Sequence, residues 1–222
     1  MPRTGLPSTF RRFGLFAGLG LLIMVAGACS PIRGVLPLQV TVPPNPGAGT
    51  AVKFSQVVDR RLFQADPSHP SAHSLRDNRI ADTALTARAI ARKYGGDRPA
   101  GDVILPSGRS VAALVEEAMT RAFREAGYRV LTAGEPGYDG ALPVAVEVLR
   151  LWAWEEPNLS RTILEFRGEV RITGGVGPFR AGEVVRASAQ TTPVSSTTRA
   201  WREVLTRGLE ALVQSVGAAL RR

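Results

Sequence analysis

The sequence predicts an α+β fold. It is a largely antiparallel sheet of four to five strands, with two amphipathic helices packed on one face and one further, inserted helix. Three observations carry this. Residues 161–173 place Thr162, Leu164, Phe166, Val170 and Ile172 on one face, and Arg161, Glu165, Arg167, Glu169 and Arg171 on the other. Such two-residue alternation belongs to a sheet with one face on a core and the other in water. Residues 109–126 and 199–220 instead repeat their apolar side chains at helical spacing. The predicted order is strand, helix, helix, strand, three antiparallel strands and a helix. It packs most economically with the helices on one face.

The chain opens with an export signal. Residues 14–28 are an apolar run, preceded by Arg3, Arg11 and Arg12 and by no acid. A charged start, an apolar stretch and a small-residue cleavage site define a secretory signal. About fifteen residues fall short of the roughly 20 that a transmembrane helix needs. The junction Val25-Ala26-Gly27-Ala28-Cys29 resembles the bacterial lipobox, where cleavage precedes a lipidated cysteine. Residues 1–28 are therefore expected to be a lipoprotein signal peptide. Cys29 is the expected acylation site, attaching the chain to a membrane through acyl chains. Ser30 follows, rather than Asp, which favours the outer membrane over retention at the inner one. Cys29 is also the only cysteine, so no internal disulfide can form.

Residues 29–50 contain Pro31, Pro37, Pro43, Pro44 and Pro46 with Gly34, Gly47 and Gly49, a composition that opposes helix. It reads as a tether, able to reach about 60 Å if fully extended. A short strand around residues 35–42 is the alternative. Residues 51–222 are expected to form one α+β domain. Its first strand lies near residues 51–61, carrying Val52, Phe54, Val57 and Val58. A Pro-, Ser-, Asp- and His-rich loop covers residues 66–78. Residues 80–94 read as the inserted helix, with Ala84, Leu85, Arg88 and Ile90 on one face and Gly95-Gly96 as its stop.

The helix over residues 109–126 has Ser107 or Ser110 as a candidate cap and Gly127 for the left-handed residue beyond its end. A strand starts at once, at residues 128–131. Strands are further expected at residues 142–154 and 161–173. The turn Gly174-Gly175-Val176-Gly177-Pro178 then leads to a strand at residues 183–191. Residues 199–220 form the last helix, bearing Trp201, Val204, Leu205, Leu209, Leu212, Val213, Val216 and Leu220.

Three of the 28 Lys and Arg residues lie in the signal, so the rest of the chain carries 25 against 19 Asp and Glu, a net charge of +6. All but Lys53 and Lys93 are arginines. Arginine recognises phosphate bidentately, which would suit phospholipid or lipopolysaccharide headgroups. The arginines form no run, which favours compositional bias instead. Export and the lack of a recognition motif exclude nucleic acid as a partner.

No constellation of residues spells out a reaction. His69 and His73 are the only histidines, in a His-Pro-Ser-Ala-His segment where Pro70 opposes a helix. No cysteine or intervening glutamate completes a metalloprotease pattern, so no metal is expected. No Gly-x-Ser-x-Gly elbow exists for a serine nucleophile. Glu116-Glu117 and Glu155-Glu156 are adjacent, so their side chains diverge. The glycines at 174, 175 and 177 lack the Lys-Ser/Thr ending of a phosphate loop. Trp152 and Trp154 share a strand face, which suits core packing or a partner surface.

With these elements placed, the pattern resembles the YajG-like family of bacterial lipoproteins. The matching features are the lipobox at Cys29, the strand ending Val57-Val58-Asp59-Arg60-Arg61, and the helix closing on Phe123-Arg124-Glu125-Ala126-Gly127-Tyr128. The strand over residues 144–154 and the final helix complete the match across most of residues 50–220. Residues 66–105 are longer than the family pattern. The resemblance implies an envelope location and this fold, and no settled activity.

The expectation is a non-enzymatic outer-membrane lipoprotein without cofactor, a periplasm-facing binding or assembly module that contacts an envelope protein. The alternative is an accessory lipoprotein of lipid or lipopolysaccharide transport, which a clustering of arginines on one face would favour. An enzyme would need His69 or His73 buried in a cleft beside a serine or carboxylate.

Overall fold

Eight strands assemble into one mixed sheet in the computed structural model, which describes residues 33–95, 98–156 and 161–222. In chain order the strands are β1 (Arg33–Val35), β2 (Ala51–Asp59), β3 (Ala89–Gly95), β4 (Arg98–Ile104), β5 (Arg129–Val130), β6 (Leu142–Glu156), β7 (Ile163–Gly174) and β8 (Glu183–Thr191). The helices are the one-turn α1 (Thr83–Thr86), α2 (Val111–Glu125) and α3 (Thr198–Leu220), with two 3-10 turns at Arg76–Ala81 and Gly177–Ala181.

This sheet corrects the expected one. Among the described residues four of its seven pairings are parallel: β1 with β4, β2 with β5, and both β2 and β3 with β6. The pairs β3–β4, β6–β7 and β7–β8 are antiparallel. A largely antiparallel sheet of four to five strands is thus replaced by a mixed eight-stranded one. The parallel neighbours β2 and β6 are about 90 residues apart, and alternation within a strand looks the same whichever way its neighbour runs.

The inserted helix is corrected too. Only Thr83–Thr86 is α-helical in that stretch, and Ala89–Gly95 is a strand hydrogen-bonded on both sides, to β4 and β6. Ala and Arg at residues 87–92 are good helix formers, but pairing between two neighbours outweighs so weak a preference. Gly95 does not stop a helix; it ends β3, paired with Arg98.

Local signals set the two long helices. Ser110 caps α2, its Oγ accepting from Ala113 N–H at 3.1 Å, and Thr197 caps α3 through Ala200 N–H at 3.2 Å. Gly127, at φ 90°, closes α2 in the left-handed region. Both helices lay their apolar stripes on one face of the sheet, against Val144, Val146, Val148, Val170 and Ile172. Arg121 of α2 reaches Glu210 of α3 through two hydrogen bonds of 2.8 and 3.0 Å. Among the described residues no helix is long and apolar enough to cross a membrane.

The other face is partly covered by residues 60–86, and a bulge in β6 makes this possible. Val148 pairs with Val170, Arg150 with Glu169 and Leu151 with Gly168, so Leu149 is an extra residue. One extra residue flips the alternation that follows. Val144, Val146 and Val148 face the helices, as do Leu151 and Ala153 after the bulge, whereas Trp152 and Trp154 turn outward. There they meet Leu75, Leu85, Ala89, Ile104 and Phe63 in a second, smaller core.

The Pro-rich stretch read as a tether is packed onto the domain from residue 34 onward. Leu36 and Leu38 are buried in the main core, and Leu36 N–H donates to Ile104 O at 2.8 Å. Asn45 pairs with the backbone of Val130, donating through Nδ2 and accepting at Oδ1, both at 2.9 Å. Arg124 Nη1 donates to Pro43 O at 2.7 Å. The prolines keep this segment extended, and its side chains and carbonyls fasten it to the domain.

Candidate functional site

Cys29 and the whole of residues 1–28 lie outside the described residues. Within the domain, the two histidines separate rather than converge. His69 is exposed. Its Nδ1 accepts from Ser71 N–H at 3.2 Å, which leaves the proton on Nε2, 3.3 Å from Glu156 Oε1.

His73 is buried, 5% exposed, with Nδ1 3.2 Å from Leu62 O. That contact requires Nδ1 to carry the proton, so Nε2 is a bare nitrogen enclosed in the protein. The ring lies 5.4 Å from Phe63 and 5.3 Å from Trp152. Burial, and then the nearby Arg61 and Arg150 charges, lower its pKa to about 3. It is therefore neutral near pH 7 and forms part of the packing around Trp152. Among the described residues no three His, Cys, Asp or Glu side chains are grouped to hold a metal ion.

This burial has a measurable consequence. The unfolded chain's imidazole takes up a proton below about pH 6.5, whereas the folded one resists until about pH 3. Stability is therefore full above pH 6.5 and falls as pH drops, by on the order of 2 kcal/mol at pH 5 from this group alone. Urea melts at pH 7.5 and 5 are expected to show this loss in the wild type and a smaller one in His73→Gln. Equal losses in both proteins would refute the assignment.

Trp152 and Trp154 are core residues rather than a partner surface. Trp152 Nε1–H donates to Pro70 O at 3.1 Å, and Trp154 Nε1–H to Glu156 Oε2 at 2.7 Å. Beside them Arg61, which the sequence offered only as the end of a strand motif, is a buried junction. Its guanidinium bonds Asp59 of β2, Thr86 O of α1, Ala89 O of β3 and Leu151 O of β6.

The feature most suited to a ligand lies elsewhere, where β6–β8 meet one flank of α3. A groove of about 740 Å³ is lined by Arg150, Arg167, Glu169, Arg186, Ser188 and Gln214, with Gly168, Ala187, Ala211, Ser215 and Ala218 between them. Strand register explains the grouping. Arg150, Glu169 and Arg186 lie side by side across β6, β7 and β8, and Trp152, Arg167 and Ser188 form the next row but one along the strands. Arg186 binds Glu169 at 3.0 Å. Arg167 lies over the Trp154 ring, 5.3 Å from its centroid, and approaches Glu165 only to 3.9 Å. Arg150 forms no ion pair with a carboxylate among the described residues.

Arginines that look scattered along the chain are therefore grouped by strand pairing. Arg167 was legible as a solvent-facing residue from the alternation in residues 161–173. Nothing in the sequence marked Arg150 and Arg186 as its neighbours, because their proximity depends on the β6 bulge and the register of β8.

No family model matches the chain, and no curated protein matches it. Among solved structures it is similar to an uncharacterized protein at 8% identity, over 85% of this chain and 97% of that one, with a TM-score of 0.39. It is also similar to a hypothetical protein from Chlamydia trachomatis at 11% identity, over 78% of this chain and 98% of that one, with a TM-score of 0.38. At these scores neither likeness bears on the chemistry of the groove.

Proposed function

We propose that this protein is a non-enzymatic lipoprotein of the bacterial outer membrane, facing the periplasm and acting as a binding or assembly module. The observation that carries this reading is Cys29 at the end of Val25-Ala26-Gly27-Ala28, behind an apolar run with basic residues and no acid before it. Acyl chains on that cysteine hold the protein at the membrane, and the domain meets an envelope partner. Ser30 after the cysteine supports the outer membrane.

The test is direct. Cys29→Ala is expected to abolish incorporation of a fatty-acid analogue and to release the protein from the membrane fraction. Continued labelling of the variant would end the lipoprotein reading.

One observation favours the second reading, an accessory of lipid or lipopolysaccharide transport: Arg150, Arg167 and Arg186 share one groove. Crosslinking in the intact envelope separates the two. A protein partner supports the assembly module, and recovery of phospholipid alone supports the transport accessory.

A further inference from the structure

We propose that β8 is a dimerisation edge: it pairs antiparallel with β8 of a second copy of this chain, joining two sheets into one. The inference goes beyond the anchored-module reading and does not depend on how the chain is held at the membrane.

The backbone is the first argument. Among the described residues β8 pairs with β7 alone. A strand bonded on one side points the N–H and C=O of every second residue away from its neighbour, and such an edge is a template for pairing with another chain. Proteins blunt their edges with short strands, proline, lysine, bulges or a covering element. The margins at β1 and β5 follow this rule, being three and two residues long. β8 does not. Its nine residues, Glu-Val-Val-Arg-Ala-Ser-Ala-Gln-Thr, contain no proline, glycine or lysine, and their register with β7 is unbroken.

The order of side chains along the edge is the second argument, and it selects a second copy as the occupant. Val185, Ala187 and Ala189 face the helices, and Arg186, Ser188 and Gln190 are exposed on the other face. A two-fold axis at Ala187, the middle residue, sets the whole of one strand opposite the whole of the other. Arg186 then meets Ser188 of the second copy, Val185 meets Ala189, and Ala187 meets Ala187. No like charges are opposed. Moving the axis one residue, to Arg186, sets that guanidinium against its own copy, an arrangement that destabilises a strand pair. A two-fold interface requires such self-complementarity, and the register centred on Ala187 supplies it over all nine residues.

The helix layer is the third. Because α3 packs against β8, joining the sheets edge to edge brings the two copies of α3 alongside each other. Glu210 marks the flank of α3 that faces α2. The other flank carries Ala211, Ser215 and Ala218, which line open space beside Ala187. All three are partly or fully exposed. Side chains at the contact set how closely two helices approach, and these are short. Ala187 and Ala211 border the same space, so one axis serves both layers.

Sedimentation of the full chain in dodecyl maltoside, with the bound detergent subtracted, tests this. A particle of twice the chain's mass is expected. Ser188→Arg sets like charges opposite one another at two places in the dimer, and is expected to weaken association by on the order of tenfold. Ser188→Glu sets a carboxylate opposite Arg186 at the same two places, and is expected to strengthen association by a similar factor. Ser188 is exposed, so both variants are expected to melt as the wild type does. Arg202→Glu, on an exposed residue of α3 away from this flank, is expected to leave association unchanged. Opposite responses to the two changes at Ser188 support the proposal. A monomer at every concentration up to about 100 μM would overturn it. So would a dimer indifferent to both changes, the behaviour of chains that merely share a micelle. A chain that stays monomeric and holds a different protein along β8 would overturn it as well.

Discussion

Replacing Arg61 with methionine is expected to destabilise the domain by about 3–5 kcal/mol, the range for breaking a buried charge pair from one side. Its side chain is fully enclosed. All five N–H groups of the guanidinium are used. Nε and Nη2 donate to the two Asp59 oxygens at 2.9 and 2.8 Å, Nη1 to Ala89 O at 2.6 Å and Leu151 O at 3.2 Å, and Nη2 again to Thr86 O at 2.8 Å. Methionine fills part of the volume and satisfies none of these acceptors, so three carbonyls and a carboxylate lose their donor together. The bonds reach four elements, so the damage is expected to loosen the cover formed by residues 60–86.

Urea denaturation measures the effect, with Arg60→Met as the control. Arg60 is 62% exposed and touches Glu147 only at 3.7 Å, so its loss is expected to cost under about 0.5 kcal/mol. Asp59→Asn combined with Arg61→Met is expected to be less damaging than the sum of the two single changes, because each removes the same pair. An Arg61→Met protein within 1 kcal/mol of wild type would refute the role given to this residue.

Gly208→Ala is expected to destabilise as well, by about 1–3 kcal/mol. In an ordinary helix interior the same change stabilises by about 0.8–1.0 kcal/mol, because glycine loses more backbone entropy on folding. Here the sign reverses. A methyl group on Gly208 would lie 2.5 Å from Phe166 Cε1, and closer still to Cγ and Cδ1. Phe166 is 1% exposed, and its ring has little room to retreat. Gly217, in the same helix, supplies the contrast. A methyl there meets only the flexible end of Arg221, at 3.3 Å, so Gly217→Ala is expected to be neutral or mildly stabilising. Thermal melts of the two variants are expected to move in opposite directions or to differ by several degrees. Phe166→Leu is expected to cost less in the Gly208→Ala background than in the wild type. Two alanine variants of equal stability would show that Phe166 does not need the space that glycine leaves at position 208.

Both positions show where sequence reading succeeds and where it stops. The periodicity of α3 identified Trp201, Leu205, Leu209 and Leu212 as its buried stripe. It could not reveal that Gly208 lies under an aromatic ring contributed by β7. The alternation in β7 showed which of its residues face water, because that rule acts within one strand. Alternation in β6 held as far as Val148 and then failed, since nothing about Leu149 announces an extra residue. The parallel neighbours of β2 and β3 were illegible for a related reason: pairing across long separations leaves no mark on either segment. The candidate groove inherits both difficulties. Each arginine is plain in the sequence, but their convergence is a product of register.

The fastening of residues 34–50 has a consequence for a chain anchored at Cys29. Leu36 and Asn45 hold the segment that would otherwise have been slack. Four residue steps separate Cys29 from Arg33, the first described residue, and chain length limits that span to about 14 Å. With Cys29 acylated as proposed, so short a leash would confine the domain to a thin layer above the lipid, where its search would become nearly two-dimensional. Partners or headgroups in that layer would be met at high effective concentration. Modest affinity would then suffice for lasting occupancy, and targets deeper in the periplasm would lie out of reach.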